Sequence, residues 1–589
     1  MAFQLSPGVN VSEIDLTTVV PAVATTEGAI AGVFRWGPTD EPVLIGSEID
    51  LVNRFGKPFA NTTWSNAETF FTAANFLSYS DALYVQRVHD SGAKSGSTNF
   101  EGAYVGKLGD DIEVAWCDNA GFAGTTVSEV LTIPASSAIG TIVAVGNTST
   151  HGVTTSQSVI AGGQELVVTD VSDSSNATHT TSTITFDKKF VGTAAHGAAS
   201  FVRQWAYASS FDAAPVAGAG GSGYHVLVLD KGGFTGKAGV LEKFENLGDT
   251  ATDKNFDGST SFIDQVLENS SNYIRVKTGA SLTGGSAVEA LTAGSDGDGE
   301  TAIGAGPVGL GWDKFKAAEN IDVSLLLTGH PDLVVQNYVI DNIAETRKDC
   351  IAFITPDVPN TASAQDIVTA VATLSSSSYA VVDSGHKYQY DKYNDVYRWI
   401  PLNGDVAGLC ARTDDARDPW FSPAGYSRGG IKNVVKLALN PTKTDRDLLY
   451  KNGVNPVITQ AGQGTLLFGD KTYLNQPSAF DRINVRRLFI VLEKAISTAS
   501  KSTLFEFNDE FTRAQFRNLV EPFLRDVQGR RGIYDFRVVC DETNNTSQVI
   551  DSNQFVGDIY IKPARAINFI QLNFVAVRTG VEFSEIVGQ

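Results

Sequence analysis

Hydrophobic and polar residues alternate in two short stretches at opposite ends of this chain. Residues 8–14 have the sequence GVNVSEI and residues 580–586 have the sequence GVEFSEI, so five of the seven letters agree. Alternation is typical of a strand with one buried face. A lone strand is unstable because its backbone donors and acceptors need a neighbouring strand. The pattern therefore predicts a strand at each end and leaves open what those strands pair with.

The apolar pattern between the two ends predicts alternating strands and helices in two separate regions. In the first region a helical pattern lies between two buried strands, 27–38 and 82–88. In the second region the strands 323–329 and 350–356 alternate with helices. This alternation favours a mostly parallel α/β sheet that is discontinuous in sequence.

The stretch between these regions has a different composition. Residues 91–300 are rich in Gly, Ala, Ser and Thr, and short β-prone runs are separated by Gly and Asn. Such runs predict β-rich domains inserted into a loop of the α/β core. A flexible linker is the alternative, and the recurrence of Val, Ile and Phe at strand spacing argues against it.

The C-terminal part predicts two helices followed by strands, as in a compact α+β domain. The first helix carries Leu488 and Leu492 on its core-facing stripe, and the second begins after Asn508 or Asp509 and ends at Gly529. The predicted divisions are an N-terminal arm at 1–20, a first core part at 21–90, inserted domains at 91–300, a second core part at 301–480, a C-terminal domain at 481–579 and a C-terminal arm at 580–589.

Composition restricts the class of protein. The 589 residues are 42% hydrophobic, as in an ordinary globular protein, and no run of about 18 apolar residues predicts a membrane span. The N-terminus lacks the basic region and apolar core of a secretory signal. The four cysteines are scattered, which predicts reduced and mostly buried thiols in a protein made and kept in a cytoplasm.

The net charge of −21 argues against nucleic-acid binding, because phosphates require a basic face. The charge is also unevenly distributed. From residue 481 onward there are 14 basic and 14 acidic residues, so the whole acidic excess lies in the first 480 residues. This asymmetry predicts an acidic body and a near-neutral contact surface at the C-terminal end.

Four short patterns resemble chemical sites but fit them poorly. GAGPVG at 304–309 matches a dinucleotide loop, yet no good strand precedes it, so a flexible loop is expected. SDGDGE at 295–300 lacks a complete calcium loop and favours an acidic turn. GYSRG at 425–429 follows a proline instead of a buried strand. Asp383, Ser384 and His386 are close only in sequence, and we therefore expect no catalytic residue, metal or cofactor.

Longer segments resemble a known family. They are YRWIPLNGDVAGLCARTDDARDPWFSPAGYSRG at 397–429, LLFGDKTY, SAFDRINVRRLFIVLEKAI, KPARAINFIQLNFVAVRTGVEFSEI and, near the start, SPGVNVSEID and AIAGVFRWGP. Together they resemble the tail sheath proteins of contractile-tailed, T-even-like bacteriophages. The resemblance is strongest over 1–90 and 320–589 and weak across the insert.

This resemblance implies a structural protein and not an enzyme. Subunits of that family form hexameric rings that stack around a tail tube, and the cylinder contracts from a metastable extended state to drive the tube through the host envelope. The implied partners are further copies of the chain, the tube protein, and baseplate and tail terminator proteins. The implied location is the tail of a virion assembled in the host cytoplasm, without nucleic-acid contact or membrane insertion.

The resemblance also implies roles for particular residues. The extended arms are expected to add strands to neighbouring subunits, through Val9, Val11, Ile14, Val581, Phe583 and Ile586. The C-terminal domain is expected to face the tube and the inserted domains to face outward. Basic side chains for the tube contact are Arg486, Arg487, Arg513, Arg517, Arg530 and Arg531. The alternative for these arginines is a solvated helix face paired with nearby acidic residues.

Three other functions stay open at this point. An α/β enzyme would use the glycine loop, Ser427 or the acidic turn. A surface adhesion or lattice protein would use the Ser/Thr-rich insert but would need export. The sheath of a related contractile injection system would differ in its setting, and the large insert and the phage-type segments favour the virion.

Overall fold

The structure is a computed structural model that describes most of the chain between residues 25 and 568. The described residues are 25–123, 125–126, 131–133, 141–145, 155, 157–161, 164–173, 181–188, 194–196, 201–216, 223–234, 236–280, 282, 285–359, 361–568 and 571. The strands predicted at 8–14 and 580–586 lie outside them, as does most of the strand predicted at 567–579.

The first described region forms three strands and two helices. They are β1 (Gly28–Val33), β2 (Val43–Ile45), α1 (Glu48–Phe55), α2 (Ala67–Leu77) and β3 (Leu83–Val88). Helix α1 begins after Ser47, whose hydroxyl accepts a hydrogen bond from the backbone N of Asp50 at 3.2 Å. The two strands predicted here are present as β1 and β3.

The next region contains fifteen strands and two short helices among its described residues. They are β4 (Lys94–Gly96), β5 (Phe100–Val105), β6 (Ile112–Cys117), α3 (Asn119–Ala123), β7 (Thr125–Thr126), β8 (Leu131–Ile133), β9 (Thr141–Val145), β10 (Gln157–Ala161), β11 (Gln164–Asp173), β12 (Thr181–Phe186), β13 (Ala194–His196), β14 (Phe201–Trp205), β15 (Gly223–Asp230), β16 (Gly239–Gly248), α4 (Ile263–Ser270), β17 (Ile274–Val276) and β18 (Ser286–Ala290). They form antiparallel sheets of eight, four and three strands. The short strands predicted for this stretch are therefore present, and it is not a structureless linker.

The second α/β region follows. Its elements are α5 (Ala305–Asp313), β19 (Leu325–Leu327), α6 (Leu333–Tyr338), a π-helical stretch (Val339–Ala344), α7 (Glu345–Arg347), β20 (Ile351–Ile354), α8 (Ala364–Val371), β21 (Ala380–Asp383), β22 (His386–Asp391), β23 (Val396–Pro401), α9 (Asn403–Ala416), β24 (Lys436–Leu437), α10 (Lys443–Lys451), β25 (Val454–Asn455), β26 (Val457–Gln460) and β27 (Gly464–Leu467). The flexible loop expected at GAGPVG is wrong, because Gly304 caps α5 and Pro307 lies in its first turn, where a backbone donor has no partner in the helix.

One seven-stranded sheet joins the two α/β regions. Its order is β2-β3-β1-β19-β20-β21-β25, and every pair is parallel except β2 with β3. Gly28 of β1 lies opposite Leu83 on one side and Leu325 on the other, although residues 89–324 separate β3 from β19. Every described residue of β1, β19, β20 and β21 is buried, as expected for a parallel sheet covered on both faces.

The C-terminal region forms two long helices and a pair of strands. Its elements are α11 (Ile483–Ser500), α12 (Glu510–Gly529), β28 (Ile533–Val539), α13 (Ser547–Asp551) and β29 (Asp558–Pro563). Helix α12 is capped by Asp509, which accepts from Thr512 N at 2.8 Å, and it continues through Pro522. Of the described helices, none is both long and apolar enough to cross a membrane. All four cysteines are free and buried, as predicted.

Polar side chains at the carboxyl ends of the central strands bind one another. The Asp383 carboxylate lies 2.7 Å from the hydroxyl of Thr355 and accepts from Gly385 N at 2.8 Å. Asn403 Nδ2 donates to Gly329 O at 3.0 Å and to the same Thr355 hydroxyl at 3.2 Å. Burial raises the pKa of Asp383 to about 8, partly offset by these hydrogen bonds. The protonated carboxyl is therefore favoured in the folded protein at neutral pH.

We predict that Asp383 makes the subunit less stable as the pH rises. Its folded pKa lies above its unfolded value, so its stabilising contribution is present at low pH and is lost between about pH 4 and pH 8. The free energy of unfolding should fall by up to about 1.4 kcal/mol per pH unit in that window. Urea unfolding at pH 5, 6, 7 and 8 should show this fall in the natural chain and a flatter profile in Asp383→Asn.

The exposed Asp447 supplies the matched control, because Asp447→Asn leaves the buried network unchanged. It should keep the pH dependence of the natural chain. Equal pH profiles for Asp383→Asn and the natural chain would contradict the prediction.

Candidate subunit interface

Helices α11 and α12 and the strands β28 and β29 form one packed unit, which we call the C-terminal unit. Leu488 and Leu492 of α11 pack in a buried cluster with Phe516, Val520 and Leu524 of α12. The apolar stripes predicted for the two helices therefore face each other and the strands. Trp420, which precedes this region in the chain, belongs to the same cluster and connects it to the α/β part.

The sheet of this unit is incomplete among the described residues. Strand β28 pairs with β29 in antiparallel fashion, from Ile533 opposite Pro563 to Val539 opposite Asp558. Within the described chain neither strand has a second neighbour. A two-stranded ribbon is only marginally stable, and its free edges can accept further strands. These edges are the candidate interface for the terminal arms.

A buried ion pair holds the C-terminal unit against the α/β part. Arg487 of α11 donates from Nη1 to Asp414 Oδ1 of α9 at 2.6 Å, and its Nη2 pairs with the other carboxylate oxygen. Burial lowers the pKa of Arg487, but the charge of Asp414, the charge of Cys410 and the hydrogen bond to Asp414 together outweigh burial, so the pKa is raised. The contact is bidentate, with one guanidinium nitrogen on each carboxylate oxygen, and such pairs are among the stronger hydrogen bonds of Arg.

The same carboxylate also binds the chain where the described structure begins. Thr25 donates its hydroxyl to Asp414 Oδ2 at 2.6 Å, and its carbonyl accepts from Arg487 Nη2 at 3.4 Å. Asp414 thus links three parts of the subunit: the α/β core, the C-terminal unit and the segment that follows the N-terminal arm.

Two further arginines of the predicted tube contact are buried in the subunit. The Arg486 guanidinium stacks 4.3 Å from the ring centre of Tyr379 and 4.0 Å from that of Phe480. Arg513 donates to Asn508 Oδ1 at 2.9 Å. Arg486, Arg487 and Arg513 are therefore all buried, so they form neither the exposed basic face nor the solvated helix face that the sequence suggested.

The remaining three predicted arginines reach the surface to different degrees. Arg517 is half-buried, whereas Arg530 and Arg531 are exposed. Arg530 forms ion pairs with Asp418 at 2.7 Å and with Asp526 at 2.9 Å. The six predicted arm residues, Val9, Val11, Ile14, Val581, Phe583 and Ile586, lie outside the described residues.

The structure also reveals a surface that the sequence analysis missed. Leu504, Phe505 and Phe507 are exposed in the loop between α11 and α12, and Phe511 is exposed in the first turn of α12. The available signal was the segment LFEFNDEF, in which large apolar residues alternate with acidic ones without helical spacing ahead of the Asp509 cap.

The sequence patterns that resemble catalytic sites do not bring their side chains together into a catalytic site. Ser427 is exposed in a turn, so the nucleophile-elbow reading of GYSRG fails. Ser384 Oγ accepts from Val457 N at 2.9 Å, and Asp383 binds Thr355, so neither is directed to His386. Within the described chain no three His, Cys, Asp or Glu side chains are grouped to hold a metal.

The usual ligand position of an open α/β sheet is filled by the subunit itself. This position lies at the carboxyl ends of β1 and β19, where the strand order reverses. There Glu300 accepts from Thr69 N at 2.9 Å and from the Ser65 hydroxyl at 2.6 Å, so it occupies the N-terminus of α2 as a phosphate would. The cavity that remains is about 30 Å³. It suits a water molecule and is too small for a nucleotide.

A half-buried acid–histidine pair lies beside the same cavity, which His330 lines. His330 Nδ1 lies 2.6 Å from Glu68 Oε2. Burial raises the pKa of Glu68. For His330 burial lowers the pKa, but the hydrogen bond and charge of Glu68 together with the charges of Glu300 and Asp357 outweigh burial, so that pKa is raised as well. The pair joins α2 to the segment after β19.

Comparisons with known proteins give a consistent result. Models of the phage tail sheath protein central domain, the phage tail sheath C-terminal domain and the N-terminal region of tail sheath protein Gp18 domain III match residues 333–473, 475–576 and 28–88, respectively. The tail sheath protein of Vibrio phage KVP40 is 35% identical over 99% of this chain and 100% of its own length. That of Enterobacteria phage T4 is 34% identical over 99% of both chains.

A solved structure is also similar. The crystal structure of a sheath tail protein from Desulfitobacterium hafniense matches with a TM-score of 0.49 and 12% identity, over 95% of this chain and 100% of that one.

We predict that Arg487→Met destabilises the subunit by about 3–5 kcal/mol, because it leaves the Asp414 carboxylate buried without a counter-charge. Arg525→Met on α12 is the matched control, since Arg525 is exposed and its loss should change stability by less than about 0.5 kcal/mol. Urea unfolding followed by circular dichroism measures both.

A second change separates the charge from the shape of this site. Adding Asp414→Asn to Arg487→Met removes the unpaired charge and keeps an acceptor for Thr25, so part of the lost stability should return. Equal stability of Arg487→Met and Arg525→Met would show that the ion pair does not hold the unit in place.

Proposed function

This chain belongs to the phage tail sheath family, and we propose that it polymerises as stacked hexameric rings around a tail tube and contracts from a metastable extended state. The observation that carries this proposal is the identity of 35% along the whole length of a tail sheath protein. A match that extends over 99% of this chain and over nearly all of each relative supports the same structural role, and both relatives are proteins of phages.

We propose that the terminal arms hold neighbouring subunits together by strand addition. The C-terminal unit offers two strands with open edges in the described chain, and the arms have strand patterns without an evident partner. Backbone hydrogen bonds would supply the affinity, and Val9, Val11, Ile14, Val581, Phe583 and Ile586 would fill pockets at alternate positions. A tether of this kind keeps subunits connected while other faces slide.

The N-terminal arm also has a direct route to the C-terminal unit of its own subunit. Thr25, which follows the arm, shares the Asp414 carboxylate with Arg487. A pull on the arm would therefore act on a rigid junction and move core and C-terminal unit together. This arrangement suits a machine that converts subunit rotation into shortening.

The contraction needs no bound nucleotide under this proposal. The ligand position of the central sheet is filled by Glu300, Glu68 and His330, and the space left is about 30 Å³. The driving free energy would instead be stored in the extended lattice and released when subunits re-pack.

The remaining partners follow from this role. The tube protein would lie against the C-terminal unit, baseplate and tail terminator proteins would contact the ends of the cylinder, and the inserted sheets would face outward. The sheath would be assembled in the host cytoplasm and carried on the virion. Of the arginines predicted to contact the tube, Arg517, Arg530 and Arg531 remain available at the surface.

We predict that the purified chain forms hollow cylinders in negative-stain electron microscopy and that deletion of residues 1–18 reduces them to short rings or free subunits. The deletion removes the strand predicted at 8–14 but no residue of the described cores. Circular dichroism should therefore show that the truncated subunit is still folded.

The two parts of the proposal fail in different ways. Cylinders from both chains would retain the sheath and reject strand addition by the N-terminal arm. Monodisperse particles of the full chain at every salt concentration tried would contradict self-assembly itself.

A further inference from the structure

The loop between α11 and α12 exposes an unusual amount of apolar surface. We call residues 504–511, which are the end of this loop and the first two residues of α12, the aromatic loop. Its exposed apolar side chains are those of Leu504, Phe505, Phe507 and Phe511. Phe505 is 105% exposed and Phe507 84%, so both rings are almost entirely in solvent. Single exposed apolar residues are ordinary, but a contiguous group indicates a binding surface.

The aromatic loop is held in place by polar side chains beneath it. Asn508 Nδ2 donates to Gln554 O at 2.9 Å and to Asn545 Oδ1 at 3.1 Å. Buried Arg513 donates to Asn508 Oδ1 at 2.9 Å. Phe505 has a φ of 69°, a left-handed conformation that is strained for a residue with a β-carbon. Strain that presents a ring to solvent is expected where the ring makes a contact.

Acidic residues surround the aromatic loop. Glu506, Asp509 and Glu510 lie within it and are exposed. The hydrogen bond from Asn508 to Asn545 brings the segment with exposed Glu542 to the same end of the unit. This end therefore combines aromatic rings with a negative charge.

The opposite end of α12 has the complementary chemistry. We define the basic end as Arg525, Arg530, Arg531 and Arg565, together with exposed Tyr534. Arg565 joins it because Ala564 N donates to Gly532 O at 3.0 Å. Arg530 is paired with Asp418 and Asp526, whereas the other three arginines have no ion pair within the described part of the chain.

We propose that the aromatic loop of one copy of this chain docks on the basic end of a second copy. Carboxylates of the loop would pair with the free guanidinium groups, and the Phe rings would stack against them and against Tyr534. This inference rests on the proposed self-assembly and names the faces that carry it. Under this proposal Arg530 and Arg531, which were expected to contact the tube, contact a second copy of the chain instead.

The geometry makes this contact head-to-tail. Helix α12 has 20 residues, so at about 1.5 Å per residue the aromatic loop and the basic end are about 30 Å apart. The aromatic loop of a subunit cannot reach the basic end of the same subunit. Each subunit must therefore use one face for one neighbour and the other face for the next. Interfaces between unlike faces generate rings or helical polymers, as a sheath requires.

Charge reversal at each end tests the proposal. Variant A is Glu506→Arg with Glu510→Arg, and variant B is Arg525→Glu with Arg531→Glu. Each places like charges at the contact and should raise the critical concentration for sedimentable polymers by at least about tenfold, equivalent to 1.4 kcal/mol. The four-fold variant should return to about the natural value, because its charges are complementary again.

Mixing gives a second, independent readout. An equimolar mixture of A and B should polymerise at a total concentration below the critical concentration of either variant alone, because each supplies the charge that the other lacks. Asp264→Arg with Glu319→Arg reverses two exposed acids outside the C-terminal unit and should behave as the natural chain. Circular dichroism of each variant shows that the subunits are folded.

The possible results distinguish a failure of the proposed docking contact from a failure of self-assembly. If A and B polymerise as the natural chain does but no longer co-sediment with tail tubes, the occupant is the tube protein and the inference is wrong. Loss of assembly without recovery in either the four-fold variant or the mixture also overturns it. Failure of the natural chain to assemble would overturn the proposed function and this inference with it.

Discussion

Every β-strand must pair its backbone donors and acceptors, and this constraint organises the whole subunit. The central sheet meets it by joining β1 and β3 to β19, although the 236 residues 89–324 lie between β3 and β19 and contain sheets of their own. The C-terminal unit meets it only in part, because β28 and β29 have one partner each in the described chain. An open edge is a liability in a monomer, whereas in a polymer it is a place to connect. The proposed strand addition would satisfy at β28 and β29 the same requirement that the central sheet meets within the subunit.

Buried charge decides how the parts of the subunit move together. Arg487 and Asp414 lie in the interior, where an unpaired charge is costly, so separating α11 from α9 would be strongly opposed. The surface is different: the pair between Lys562 and Asp535 is exposed and contributes little. Rearrangement is therefore expected between subunits and not at the buried ion pair. Thr25 binds the same carboxylate, so the segment after the N-terminal arm is attached to the rigid part.

The sequence predicts the helices and strands better than it predicts which side chains are exposed. Apolar runs identified β1, β3, β20 and the two C-terminal helices because burial requires those residues on fixed periods. GAGPVG misled because a glycine-rich start can still form a helix when an apolar face follows, here with Trp312 buried. The prediction that Arg486 and Arg487 are exposed was wrong because their partners come from distant segments of the chain. Arg487 pairs with a carboxylate and Arg486 stacks on aromatic rings, and no local sequence pattern reveals these contacts. The aromatic loop was missed because exposure depends on the tertiary fold.

We propose that strands from another copy complete the sheet of β28 and β29. Backbone amide hydrogen exchange in these two strands, measured on free subunits and on assembled cylinders of the natural chain, can detect such added strands. The amides pointing away from the β28–β29 pairing should exchange rapidly in the free subunit and become strongly protected on assembly. Equal exchange of those amides in the two states would contradict strand addition at this sheet.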